Sequence, residues 1–326
     1  MAHIWRAVDS SPSPRPVRRW CSTQSTSDSS QSASQSASVS TGRISQGGGD
    51  ARLVKAQELF RSLLPLVQGE DKTQAYRYLV SIAAFREGGS EKEKKEVREN
   101  LIKTLREAID AGVEPAANQS RLADAYNNAE QFREAADAYA AVKSDDPAVY
   151  AQARKFQCAM LINYWNQTPR PPDDGVLLNK DKLVIDAFEA FARTEAERLR
   201  KLPAAQSEPA GTQPEDPADK FLHDSQSYKL ELAWIIYDRL KGKGEADALR
   251  MIEQVQQEAE KAKWPDLVTR ARGKKVRILM DKKEVAKATD DLVKLLIEDP
   301  ASAQNVAMDA LNDFEAKYVA YRSDPT

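Results

Sequence analysis

Cysteine and histidine are almost absent from this chain, with two residues of each among 326. Cys21 and Cys158 lie far apart, so the sequence indicates neither a disulfide framework nor a metal site. We interpret Cys158 as a small buried apolar residue. His3 and His223 leave little for histidine-based catalysis or metal binding. We therefore expect no metal ion and no cofactor.

Long apolar runs, strand-like alternation and catalytic motifs are also missing. The sequence contains no stretch of about 20 apolar residues that would predict a membrane span, and no sustained alternation that would predict a strand. We find no phosphate-binding loop, no Gly-x-Ser-x-Gly, no His-Glu-x-x-His and no paired Cys-x-x-Cys. The net charge of −2 gives no overall attraction to nucleic acid or acidic membranes. These absences predict an all-α, non-enzymatic protein of the cytoplasm.

Residues 1–49 differ from the rest of the chain. They contain fourteen serines, five arginines, no lysine and two aspartates. This composition is typical of a disordered low-complexity tail. A Ser-rich, Arg-rich and acid-poor start is also typical of an organellar targeting segment, and a mis-assigned start codon would give the same appearance.

From residue 50 onward, apolar residues recur at three-to-four spacing, which predicts about twelve helices. Asp50 is the expected N-cap of the first helix, and residues 301–322 are expected to form a capping helix. The segment 203–219 contains four prolines and four acidic residues, which predicts a loop. It would separate helical repeats in 50–202 from further helical repeats in 220–326.

Two helices with complementary apolar stripes lie within residues 116–149. A small residue falls on each stripe where the helices must approach closely, and bulky residues flank it. The stripe residues are Leu122, Ala123 and Tyr126 in the first helix and Phe132, Ala135, Tyr139 and Val142 in the second, with Pro147 ending the unit. This pattern resembles a tetratricopeptide repeat.

The resemblance implies an α-solenoid of stacked antiparallel helix pairs. It extends more weakly to 226–264 and to 269–302, where Ala288, Leu292, Leu295 and Pro300 repeat the intervals of four, three and five residues. Three-helix units of another solenoid would give similar stripes. A tetratricopeptide solenoid binds a peptide or a partner protein on its concave face, which the first helix of each pair lines.

The resemblance also indicates which residues would line that face. In the first unit these residues are Ser120, Asp124, Asn127 and Asn128, and in the later units they are Trp234, Tyr237, Arg270 and Arg277. The alternative for the two aromatic residues is packing against the next helix.

A basic segment marks the last unit. Residues 261–287 contain ten Lys or Arg and three acidic residues, an excess that would attract an acidic peptide. Nucleic acid is less favoured because Trp264 is the only aromatic residue among these cations. The alternative is a solvated helix face.

Three functions remain open from the sequence. The first is a scaffold that holds a peptide or partner protein. The second is a structural subunit that self-assembles through its terminal helix pairs, because a single repeat cannot cover its own apolar face. The third is an accessory domain of a catalytic complex.

Overall fold

The computed structural model describes residues 46–169, 174–201, 217–240, 242–298 and 300, all of which belong to one compact unit. These residues form eleven α-helices, a short 3₁₀ turn at Leu64–Leu66 and no strand. The helices are α1 Gln46–Leu63, α2 Gly69–Phe85, α3 Glu91–Asp110, α4 Pro115–Asn128, α5 Phe132–Ala140, α6 Pro147–Gln167, α7 Asp174–Arg200, α8 Pro217–Arg239, α9 Glu245–Ala262, α10 Pro265–Asp281 and α11 Val285–Glu298. The all-α prediction is therefore confirmed for the described ranges. The predicted capping helix at 301–322 lies outside them. So does the predicted tail 1–49 up to residue 45, whereas its residues 46–49 begin α1.

Local sequence explains several helix starts. Pro115, Pro147 and Pro265 each begin a helix, where proline loses no hydrogen bond because the first amides have no intrahelical acceptor. Ser90 caps α3 through a capping box: its hydroxyl accepts from the Glu93 amide, and the Glu93 carboxylate accepts from the Ser90 amide.

Two predicted boundaries were wrong. Asp50 lies inside α1 rather than at its N-cap, because the glycines before it continue the helix. The expected loop 203–219 ends sooner, since Pro217–Asp219 form the first turn of α8.

The apolar stripes of α4 and α5 pack against each other as the sequence predicts. All seven stripe residues are buried. Ala123 and Ala135 are both 0% exposed and belong to the same core cluster, so each faces a neighbouring helix without space for a larger side chain.

Helix α6 belongs to two hydrophobic clusters at once. Met160 and Leu161 pack in the cluster formed by α2–α6, whereas Cys158, Ile162 and Trp165 pack in the cluster formed by α6–α10. A helix with apolar residues all round must be covered on more than one side. Cys158 is buried as expected, and burial raises the pKa of its thiol to about 12.

Each helix packs against the next one in the sequence from α1 through α11. Helices two apart also meet: α6 contacts α8, and α8 contacts α10. The described residues thus form a continuous stack of neighbouring helices, an arrangement consistent with a helical solenoid.

We predict that Ala135→Leu destabilises the protein by about 1–3 kcal/mol, because added methylenes at a packed helix crossing force neighbouring side chains apart. Urea unfolding measures this loss. Ala187→Leu is the matched control, since Ala187 is exposed on α7 and should change stability by less than about 0.5 kcal/mol. A neutral effect of Ala135→Leu would contradict the close approach of these helices.

Candidate binding surface on α8 and α10

Helices α8 and α10 run parallel, and polar contacts join them at both ends. Near their first turns, His223 Nε2 lies 3.0 Å from an Asp266 carboxylate oxygen. Near their last turns, the Tyr237 hydroxyl donates to the Asp281 carboxylate. The partners are separated by 43 and 44 residues, so the two helices keep one register along their whole length.

Glu231 forms the centre of this interface. Its carboxylate accepts from Arg270 at 2.8 Å and from Lys274 at 3.2 Å, both on α10. Arg270 also donates to the Ser227 hydroxyl at 3.0 Å. One α8 carboxylate therefore holds two α10 cations.

The partly buried position of this cluster changes the pKa values of its members. Burial favours the neutral form of Glu231, but the charges and hydrogen bonds of Lys274 and Arg270 outweigh it and lower the pKa of the carboxyl group. Burial lowers the pKa of Lys274, and Glu231 opposes that shift. The ionised carboxylate is thus the component that makes the cluster stable.

Trp234 lies beside this cluster, one turn after Glu231, and is partly exposed. The Lys274 ammonium is 5.1 Å from the centre of its ring, and the Arg277 guanidinium is 5.2 Å from it. Both distances are within the range of cation–π attraction. We define Trp234, Lys274, Arg277, Arg270 and Glu231 as the α8/α10 face.

The structure brings together most of the binding residues predicted in the C-terminal half. Trp234, Arg270 and Arg277 meet on the α8/α10 face, with Arg277 exposed. Arg270 is not available as a free cation, because it pairs with Glu231. Tyr237 is a buried core residue, and its hydroxyl donates to Asp281. It therefore fits the alternative of packing against the next helix better than a role in partner binding.

The residues predicted in α4 have polar contacts of their own. Asp124 is exposed, and its carboxylate accepts from the Tyr139 hydroxyl of α5. The surrounding protein raises the pKa of Asp124, and this hydrogen bond partly opposes the shift. Ser120 donates to the Ala116 carbonyl of its own helix at 3.1 Å, while Asn127 is partly exposed and Asn128 exposed.

Sequence reasoning missed Glu231 and Lys274. Lys274 occurs in a basic stretch in which any residue could face solvent, and Glu231 is an isolated acidic residue in the apolar part of α8. The available signal was their separation: Glu231 and Lys274 are 43 residues apart, as are Ser227 and Arg270. When pairs of residues that can hydrogen-bond recur at the same separation in sequence, the two helices that carry them are expected to run parallel and in register.

No group of His, Cys, Asp and Glu in the described ranges could hold a metal ion. None of the described helices is long and apolar enough to cross a membrane. The cytoplasmic or organellar location stays a prediction.

Comparison with protein-family models finds no match for this chain, and comparison with curated proteins finds none either. Its function must therefore be argued from the geometry.

We predict that Glu231→Gln lowers stability by about 1–2 kcal/mol at neutral pH, because it leaves the partly buried Lys274 without its carboxylate. A lowered folded-state pKa means that ionised Glu231 stabilises the fold above its ordinary pKa and that this contribution is lost as pH falls through the lowered value. The difference from wild type should therefore shrink toward about pH 3.

Chemical unfolding at both pH values measures this effect. Glu253→Gln is the control, because Glu253 is exposed and its partner Lys275 keeps a second carboxylate, that of Asp291, at 3.1 Å. Equal effects of the two substitutions, or a Glu231→Gln difference that persists in acid, would contradict the role assigned to Glu231.

Proposed function

We propose that this protein is a non-enzymatic scaffold, a tetratricopeptide-like α-solenoid that holds a segment of a partner protein on its α8/α10 face. The buried alanine crossing between α4 and α5 supports the repeat class, as does the parallel packing of α8 and α10. In a solenoid of this type, parallel first helices of successive repeats form one continuous surface.

The environment of Trp234 is the observation that favours this face. Large aromatic residues contribute most of the energy at protein interfaces, and a tryptophan that is only partly covered has area left to bury. Lys274 and Arg277 hold the ring from two positions along α10. A partner therefore meets a side chain that is already ordered, which reduces the entropy lost on binding.

The charges around the ring define the chemistry of the partner. Arg277 is exposed, and the surrounding segment 261–287 is basic. Glu231 already neutralises part of this charge. The best-matched partner is a peptide that places an apolar residue on Trp234 and an acidic residue near Arg277.

We predict that Trp234→Ala weakens binding of the partner by about 2 kcal/mol, roughly 30-fold. Arg277→Glu should slow association and reduce its dependence on salt, because an exposed charge acts mainly on the encounter rate. The partner is first captured on the immobilised full chain, and the purified complex is then titrated by surface plasmon resonance at several salt concentrations.

Two substitutions outside this face serve as controls. Lys294→Glu makes the same charge reversal at an exposed position of α11, and Trp264→Ala removes another partly exposed tryptophan, before α10. Both should retain wild-type affinity. If the controls weaken binding as much as Trp234→Ala and Arg277→Glu do, the α8/α10 face is not the binding surface.

A second function, self-assembly through a terminal helix pair, is supported by a different observation. Leu59, Leu63, Leu66 and Phe85 of the α1–α2 region are exposed, Leu66 at 77% and Phe85 at 70%. Exposed apolar side chains on the first helix pair of the described stack favour association between copies.

If the chain self-assembles in this way, the molar mass from light scattering should rise with protein concentration. Leu66→Glu together with Phe85→Glu should then return it to 36.3 kDa. A monomer at every concentration would exclude self-assembly and leave the scaffold proposal unaffected.

A further inference from the structure

Helix α7 carries an apolar stripe on the side opposite to its buried face. Val176 is 64% exposed and Leu183 is 68% exposed. Ala187 and Ala190 continue the stripe at intervals of four and three residues, and both are exposed. This spacing is that of a helix that packs against another helix. None of the helices in the described ranges covers the stripe.

Two aromatic residues extend the stripe onto α6. Phe191, one turn after Ala187, contacts Tyr150 near the start of α6, and their ring centres are 5.5 Å apart. Tyr150 is 36% exposed, and the Arg154 guanidinium lies 4.8 Å from the centre of its ring. Arg154 is itself held by three backbone carbonyl groups at the end of α5. The Tyr150 ring is therefore already ordered, which reduces the entropy lost on binding.

The two ends of the stripe carry opposite charge. Lys180 is exposed near the start of α7 and forms no ion pair with a residue that the structure describes. Asp145 and Asp146 are exposed just before α6, and among the described residues neither pairs with a cation. Lys143 precedes these acids, so their end of the stripe keeps a net negative charge.

The charges lie at similar distances on either side of Ala187. Lys180 precedes Ala187 by seven residues, about 10 Å along a helix. Contacts between α6 and α7 show that the two helices are antiparallel. Because Tyr150 lies beside Phe191, Asp146 is level with a point about eight residues, or about 12 Å, after Ala187. A two-fold rotation at Ala187 would thus bring Lys180 of one copy level with Asp146 of the other.

We propose that the stripe binds a second copy of this chain, in a symmetric dimer whose two α7 helices pack antiparallel with Ala187 near the two-fold axis. Such an interface uses the same surface of both copies, so that surface must be complementary to itself. Lys180 of each copy meets the acidic end of the other. A parallel arrangement would place like charges together, and this repulsion disfavours it.

The size of α7 sets the expected strength of the dimer. Its 27 residues form a helix about 40 Å long and 10–12 Å wide. Covering one side of it would bury about 400–500 Å² per copy, near the lower limit of about 1,000 Å² in total for specific interfaces. We therefore expect a dimer that dissociates in the micromolar range. It does not depend on the α8/α10 face, and it differs from association through the α1–α2 region.

Sedimentation equilibrium of the full chain tests the dimer. The mass should rise with concentration from 36.3 kDa toward twice that value. Leu183→Glu places a carboxylate in the contact on both copies and should weaken the dimer at least about 100-fold. Val293→Glu makes the same kind of change at a valine of α11 that is 47% exposed, and it should leave the dimer unchanged. Leu66→Glu together with Phe85→Glu should also leave it unchanged.

A charge exchange tests the pairing of the two ends. Lys180→Asp should weaken the dimer about tenfold, because each copy then presents an acid to the acidic end of the other. Adding Asp145→Lys to the same chain should restore most of the loss, which a simple loss of stability would not allow. Asp146 is left unchanged because its carboxylate accepts from the Ala148 amide and caps α6.

Cross-linking in a Cys21→Ser background tests the orientation. A short bismaleimide should join Ala187→Cys to its own copy, because this residue lies at the axis. Thr194→Cys, exposed seven residues later on the same helix face, would be about 20 Å from its copy and should not react in this way. The buried thiol of Cys158 gives no background, since burial raises its pKa to about 12.

Several outcomes would overturn the proposal. These are the mass of one chain at every concentration, a dimer that Leu183→Glu leaves intact, or equal cross-linking of Ala187→Cys and Thr194→Cys. A monomer produced by the Leu66 and Phe85 substitutions alone would assign the contact to the α1–α2 region instead. None of these results changes capture of a protein partner through Trp234, so the scaffold proposal and this one fail independently.

Discussion

Each helix of this chain has more apolar surface than it can cover alone, and its sequence neighbours provide the cover. Helix α6 shows this most clearly, because its opposite sides belong to two separate clusters, one formed by α2–α6 and the other by α6–α10. Apolar burial is the main stabilising term in folding, but it has no direction. Stacking therefore explains why the helices associate and leaves open how one helix is aligned along another.

Polar contacts between helices two apart provide that alignment. Gln57 of α1 and Asn100 of α3 exchange two hydrogen bonds of 3.1 Å, and Glu231 of α8 and Lys274 of α10 form an ion pair. Both pairs are separated by 43 residues. A shift by one helical turn would leave these partly buried groups without partners, which costs about 1–3 kcal/mol for each group. The contacts thus favour the observed register over a shifted one.

The sequence predicted the elements of this architecture better than their connections. Helix periodicity identified every described helix, and the stripe containing Ala123 and Ala135 is buried as expected. Apart from the helix boundaries, what periodicity left open concerns polar groups. Asp124 bonds to Tyr139 of the next helix, and Arg270 pairs with Glu231. Periodicity shows which side of a helix is apolar. It cannot show which polar residues of two neighbouring helices contact each other, since that depends on how the helices are aligned.

The same register determines what the α8/α10 face can do. Arg270 and Lys274 are committed to Glu231, so these two of the ten basic residues in 261–287 serve the fold. The parts of this face that reach solvent are the partly exposed ring of Trp234 and the exposed Arg277, which contacts that ring. Affinity at this face would then come mainly from area buried on the ring, whereas charge would act on the rate of encounter. Because Lys274 both aligns α8 with α10 and contacts the ring, the proposed binding surface is held by the same contacts that align the helices.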